Sequence, residues 1–87
     1  MSGPTLDQDT RIRKGSKADA ILGDPVFMEA MDRLETEWVG RWRKGKTVEE
    51  REHAHFMLKA AEEIRHQLGV IVGDGELAKA VTRRITQ

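Results

Sequence analysis

The stretch Arg43-Lys44-Gly45-Lys46-Thr47-Val48-Glu49-Glu50 decides the fold of this chain, because one helix reads as ending and another as starting within about three residues of it. Gly45 suits the left-handed conformation that closes many helices. Arg41, Arg43 and Lys44 precede it, where cations complement the negative end of a helix dipole. Thr47 has the place of an N-cap, and Glu50, three residues on, has that of its capping-box partner. Such a junction is the signature of an αα-hairpin.

On the N-terminal side the first long helix is predicted over 25–44. Asp24 stands as its N-cap and Pro25 at its first turn, where a missing N–H costs nothing. Phe27, Met31, Leu34, Trp38 and Trp42 recur at steps of three and four and form one stripe. Glu29, Asp32, Arg33, Glu35 and Glu37 occupy the remaining surface. On the C-terminal side a second helix is predicted over 48–72, with Ala54, Met57, Ala61, Ile64, Leu68 and Ile71 as a near-heptad seam.

The ends of the chain are less regular. Gly73-Asp74-Gly75 reads as a break, after which Asp74 caps a terminal helix over 75–84. Upstream, Ser16 is placed to cap a short helix over 17–22 that Gly23 ends, and residues 1–15 read as a flexible basic arm. Val70-Ile71-Val72 has no partner for a strand. The expected architecture is all-α, an antiparallel hairpin of two long helices with short flanking helices, in a helical domain over 16–87. Phe56, Leu58 and Ala60 fall away from the seam and need a further layer, which is expected both from the short helix over 17–22 and the tail folding back and from another copy of the chain, so the chain is expected to be oligomeric.

Composition narrows function by exclusion. A length of 87 residues allows one small domain with little core. There is no cysteine, which removes disulfides and thiolate zinc sites. The start carries neither a charged n-region nor an apolar run, and no segment has the length of a membrane span; a cytoplasmic protein without a membrane partner is the expectation. With 15 basic and 15 acidic side chains the formal net charge is zero, which disfavours long-range attraction to nucleic acid.

Arg41, Arg43, Lys44 and Lys46 around Trp42, with Arg11, Arg13 and Lys14 in the arm, are the residues for a nucleic-acid contact, since cations neutralise phosphate and tryptophan stacks on bases. Helix-end electrostatics account for the first group more simply. His53 and His55 diverge on a helix, and His66 beside Glu62 has no third ligand, so no metal is expected. The glutamates at 49, 50, 52, 62 and 63 lie in a first turn or on a flank, away from the geometry of a magnesium-dependent helical hydrolase. No nucleophile has a base in register. The chain is therefore read as a non-enzyme without cofactor.

The run Ala20-Ile21-Leu22-Gly23-Asp24-Pro25-Val26-Phe27-Met28-Glu29-Ala30, the following Leu34 and Trp42, and Glu50-Arg51-Glu52 ahead of the helix to Gly75 together resemble small helical accessory proteins of tailed bacteriophages and prophages. The likeness covers about residues 18–77. It implies an oligomeric role in head assembly or DNA packaging, in the host cytoplasm or virion, and brings no catalytic residues. The leading expectation is thus an oligomeric assembly or adaptor component that associates, with itself or a protein partner, through Phe27, Met31, Leu34, Trp38 and Trp42. A nucleic-acid-binding module is one alternative. An inhibitor of a host enzyme acting through Glu29, Asp32, Glu35 and Glu37 is another.

Overall fold

A computed structural model describes residues 6–86, and within them the chain is all-α: α1 spans Leu6–Leu22, α2 Pro25–Lys44 and α3 Val48–Thr86. The contacts divide into two compact units. One joins α1 to the part of α3 from Gln67 onward; the other comprises α2 and the part of α3 up to His66, that is Gly23–His66.

Two caps set the limits of the Gly23–His66 unit's helices. Asp24 has an extended backbone, and its carboxylate accepts hydrogen bonds from the N–H groups of Val26 at 2.9 Å and Phe27 at 3.0 Å, with Pro25 in the first turn. Two of the N–H groups that a helix start leaves unsatisfied are thereby met. At the start of α3 the Glu50 N–H donates to the Thr47 hydroxyl at 3.1 Å. The reciprocal bond differs from the expected capping box: the Glu50 carboxylate accepts from the Lys46 N–H at 2.9 Å, one residue before the cap. Gly45 also departs from expectation. Its φ of −61° and ψ of 126° are extended, so left-handed freedom is not its use. A Cβ there would meet the Arg51 Cγ at 2.8 Å, which makes room for the arginine stem the local role of this glycine.

Small residues dominate the interior of this unit. Ala54 and Ala61, two turns apart on one face of α3, are fully buried, and Met31 of α2 is the buried large side chain. Phe27, Leu34, Trp38, Met57 and Leu58 are half-buried. The Trp38 ring meets the edge of His53 with centroids 5.2 Å apart and planes at 80°, a T-shaped arrangement favoured by the ring quadrupoles.

The other unit corrects two expectations. The segment read as a flexible arm with a short helix over 17–22 is helical from Leu6, with Asp7 and Asp9 in its first turn where acid favours a helix start; residues 1–5 of that arm lie outside the described residues. Ser16 is inside α1 and caps nothing. The Gly73-Asp74-Gly75 break, with its separate helix over 75–84, is likewise absent, since α3 continues without interruption to Thr86.

One contact explains both differences. A Cβ on Gly15 would lie 2.9 Å from the Gly75 Cα and 3.2 Å from the Ile71 carbonyl oxygen, while a Cβ on Gly75 would lie 2.9 Å from the Gly15 Cα and 3.0 Å from the Arg11 carbonyl oxygen. The two helix backbones therefore touch where neither carries a side chain. Ala18 and Ala78, each one turn further along the same faces, are buried as well. The Arg11 guanidinium donates to the Asp74 carbonyl oxygen at 3.4 Å. Glycine disfavours a helix by about 1 kcal/mol relative to alanine, and dispersion from the close approach offsets that cost.

The glycines of α3 are not equivalent. Nothing stands within 4 Å of a Cβ added at Gly69 or Gly73. Gly73→Ala is expected to stabilise the chain by up to about 1 kcal/mol through helix propensity. Gly15→Ala and Gly75→Ala, each driving a methyl into backbone, are expected to destabilise it by about 1–3 kcal/mol. Urea titrations followed by circular dichroism measure all three, and a stabilised Gly75→Ala would contradict the packing described.

Candidate functional site

The residues expected to form a partner face do not form one surface. Met31 is buried, Phe27, Leu34 and Trp38 are half-buried, and only Trp42 of the five stands open, at 47% exposure. Most of that stripe is occupied in packing α2 within its own unit. The exposed apolar side chains lie elsewhere: Val26 and Met28 at the start of α2, then Val48, Phe56 and Ile64 on α3, in the same unit as Trp42. In the unit of α1 they are Ile21, Val70, Ile71, Leu77 and Ile85. Among the described residues no large side chain is fully buried.

The predicted basic residues are split between the two units. Arg11, half-buried, belongs to one and is engaged with Asp74, while Arg13 and Lys14 are exposed on α1. Arg41, Arg43, Lys44 and Lys46 belong to the other and are exposed. Arg41 is held twice, by a 2.8 Å bond to the Glu37 carboxylate and by stacking of its guanidinium 4.6 Å over the Trp38 ring. A cation on an indole face at this range is an attractive contact of about 0.5–1 kcal/mol where exposed. Trp38 is thus engaged by the Arg41 cation on its face and by His53 in a T-shaped contact, and Trp42 is the indole left open.

Of the acidic surface, Glu29, Asp32 and Glu37 are exposed and Glu35 is half-buried. Arg65 of α3 reaches both Glu35, through a hydrogen-bonded ion pair, and Asp32 at 3.6 Å. This cross-helix bridge withdraws Glu35 from any outside partner. Glu29 pairs with Arg33 at 3.5 Å one turn on, at high exposure, where such pairs contribute little. His53, His55 and His66 are exposed, and among the described residues no group of three or more potential metal ligands comes together. None of the described helices is long and apolar enough to cross a membrane.

A groove of about 620 Å³ opens beside Trp42, with Val48 and Phe56 of α3 as its other apolar walls and Arg51, Lys59 and Glu52 at its borders. Val48 is 56% and Phe56 67% exposed. Neither Arg51 nor Lys59 has an ion-pair partner among the described residues. The sequence sets Phe56 apart from the seam, but nothing in the spacing of α3 places the end of α2 next to it. The groove exists because the turn over Gly45 brings Trp42 alongside the first turns of α3. No family model, curated protein or solved structure matches the chain.

Arg65→Met is expected to cost at most about 1 kcal/mol of stability, the range of a partly exposed ion pair. The deficit should shrink in about 1 M salt, where the Debye length is near 3 Å. Chemical denaturation at low and high ionic strength reads both effects, and a deficit unchanged by salt would assign the role of Arg65 to packing instead.

Proposed function

We propose that the chain is a non-enzymatic assembly or adaptor component that works by associating with copies of itself. The observation that carries this reading is the mismatch between interior and surface: the buried residues are mainly alanine and glycine, while Trp42, Val48, Phe56, Leu77 and other large apolar side chains face solvent. Burial of apolar area stabilises by about 25 cal/mol per Å², so a chain that leaves Trp42 and Phe56 open forgoes much of what a small domain needs. A second copy covers such surface without any new sequence. Exposed apolar patches of this kind mark interaction sites in soluble proteins.

The phage-type resemblance supplies the biological setting for this proposal, an oligomeric role in head assembly or DNA packaging. Self-association remains the part of it that the surface supports. The nucleic-acid alternative draws less support, since Arg11 and Arg41 are engaged within the chain and the formal net charge is zero. The acidic-face inhibitor loses Glu35 to Arg65.

Static light scattering across micromolar concentrations should give a mass above the 9.9 kDa of one chain and rising with concentration. A compact species of constant monomer mass that binds no hydrophobic dye would overturn the proposal.

A further inference from the structure

Within α3 the helix-forming strength of the sequence drops in one window. Met57-Leu58-Lys59-Ala60-Ala61-Glu62-Glu63 consists of strong helix formers, and Glu76-Leu77-Ala78-Lys79-Ala80 does so again. Between them, Gly69-Val70-Ile71-Val72-Gly73-Asp74-Gly75 contains none, since glycine, β-branched residues and aspartate all rank below these in helix propensity. The window is nevertheless helical throughout. Its own side chains contribute little packing, because residues 69–71, 73 and 74 are exposed and Val72 is half-buried. Gly75 is buried, and it lies against Gly15 of α1. Gly69 and Gly73 have no such neighbour, so close approach does not explain them.

We infer that α1 is a clamp that keeps this window helical: α3 runs unbroken while Gly15 is seated on Gly75, and residues 69–75 lose their helix when α1 leaves. The clamping contacts are made to the backbone of the window. A Cβ on Gly15 would fall 2.9 Å from the Gly75 Cα and 3.2 Å from the Ile71 carbonyl oxygen, so the α1 backbone meets that of α3 at both ends of one turn. The Arg11 guanidinium adds a bond to the Asp74 carbonyl oxygen at 3.4 Å. A helical stretch of weak formers persists through tertiary packing rather than propensity, and α1 is the helix that shares a compact unit with α3 from Gln67 onward. Residues 57–63 combine strong propensity with the buried Ala61 in the unit of α2, so they do not depend on α1. Docking of α1 and helix over 69–75 are therefore two sides of one equilibrium, and whatever stabilises either stabilises the other by the same free energy. This device belongs to the single chain and does not rest on self-association.

Amide hydrogen exchange of the full chain, resolved by residue with NMR, tests this. In the parent, the amides of 12–18 and of 70–75 should exchange through a shared opening, with matching protection, and faster than those of 57–63. Gly15→Leu places a side chain where the backbones touch. It should speed exchange of 12–18 and of 70–75 at least about tenfold and leave 57–63 unchanged. Gly69→Ala combined with Gly73→Ala meets no neighbouring atom and strengthens only the helix. That pair should slow 70–75 by about tenfold, and 12–18 by the same factor although neither alanine touches α1. Adding the two alanines to Gly15→Leu should return protection to 70–75 while 12–18 remain fast. The double alanine variant serves if Gly15→Leu unfolds the whole chain.

A parent in which 70–75 are as protected as 57–63 while 12–18 exchange faster overturns the clamp, because α3 would then hold its helix alone. So does a Gly15→Leu chain that releases α1 with 70–75 unchanged, or one in which 12–18 stay as protected as in the parent. Exchange of 12–18 that ignores Gly69→Ala and Gly73→Ala overturns the coupling in the same way.

Discussion

Close approach of helix backbones at residues with little or no side chain is the constraint on which the rest of the structure depends. At Gly15 and Gly75 there is no space for even one methyl group. In the other unit, Ala54 and Ala61 are the fully buried residues of the α3 face. Packing of this kind gains from dispersion between many backbone atoms at short range. It also has a geometric consequence: where helices meet at small residues, larger side chains are pushed to the flanks of the contact. The half-buried state of Phe27, Leu34, Trp38 and Leu58 and the exposure of Trp42 and Phe56 follow from that arrangement.

Polar contacts refine this arrangement. Asp24 and Thr47 satisfy donors at helix starts and so set where α2 and α3 begin. Arg65 ties α3 to Asp32 and Glu35 of α2, and Arg41 caps the Trp38 ring while bonding to Glu37. These contacts occupy part of the charge on α2 and α3. Among the cations outside these pairs are Arg51 and Lys59, which border an open aromatic groove. The proposed association would draw on side chains that folding has not consumed.

The legibility of the chain follows the size of its side chains. The all-α class was readable from spacing and caps, and both N-caps at Asp24 and Thr47 are visible as hydrogen bonds. Several of the departures from expectation involve glycine. A helix-end glycine commonly takes the left-handed conformation, yet the extended backbone of Gly45 and its contact with the Arg51 stem give it a different reason to be small. Gly73-Asp74-Gly75 was read as a break because glycine weakens a helix on its own, and a local reading cannot see that Gly75 is opposed by Gly15. The same blindness hid α1, whose contact face of Arg11, Gly15 and Ala18 carries no large apolar stripe for periodicity to detect. The stripe expected to serve as a partner face is, Trp42 apart, buried or half-buried within its own unit.

By itself, then, the sequence determined what local forces determine: helices, their starts at Asp24 and Thr47, a formal charge of zero, and an apolar inventory rich in small residues. Those properties depend on neighbours within about one turn, so a linear reading captures them. Only the tertiary structure decided which glycines are contacts, which tryptophan is left open, and which charges remain unpaired. Each of these depends on residues far apart in the chain, Gly15 with Gly75 and Arg65 with Glu35, that meet only after folding.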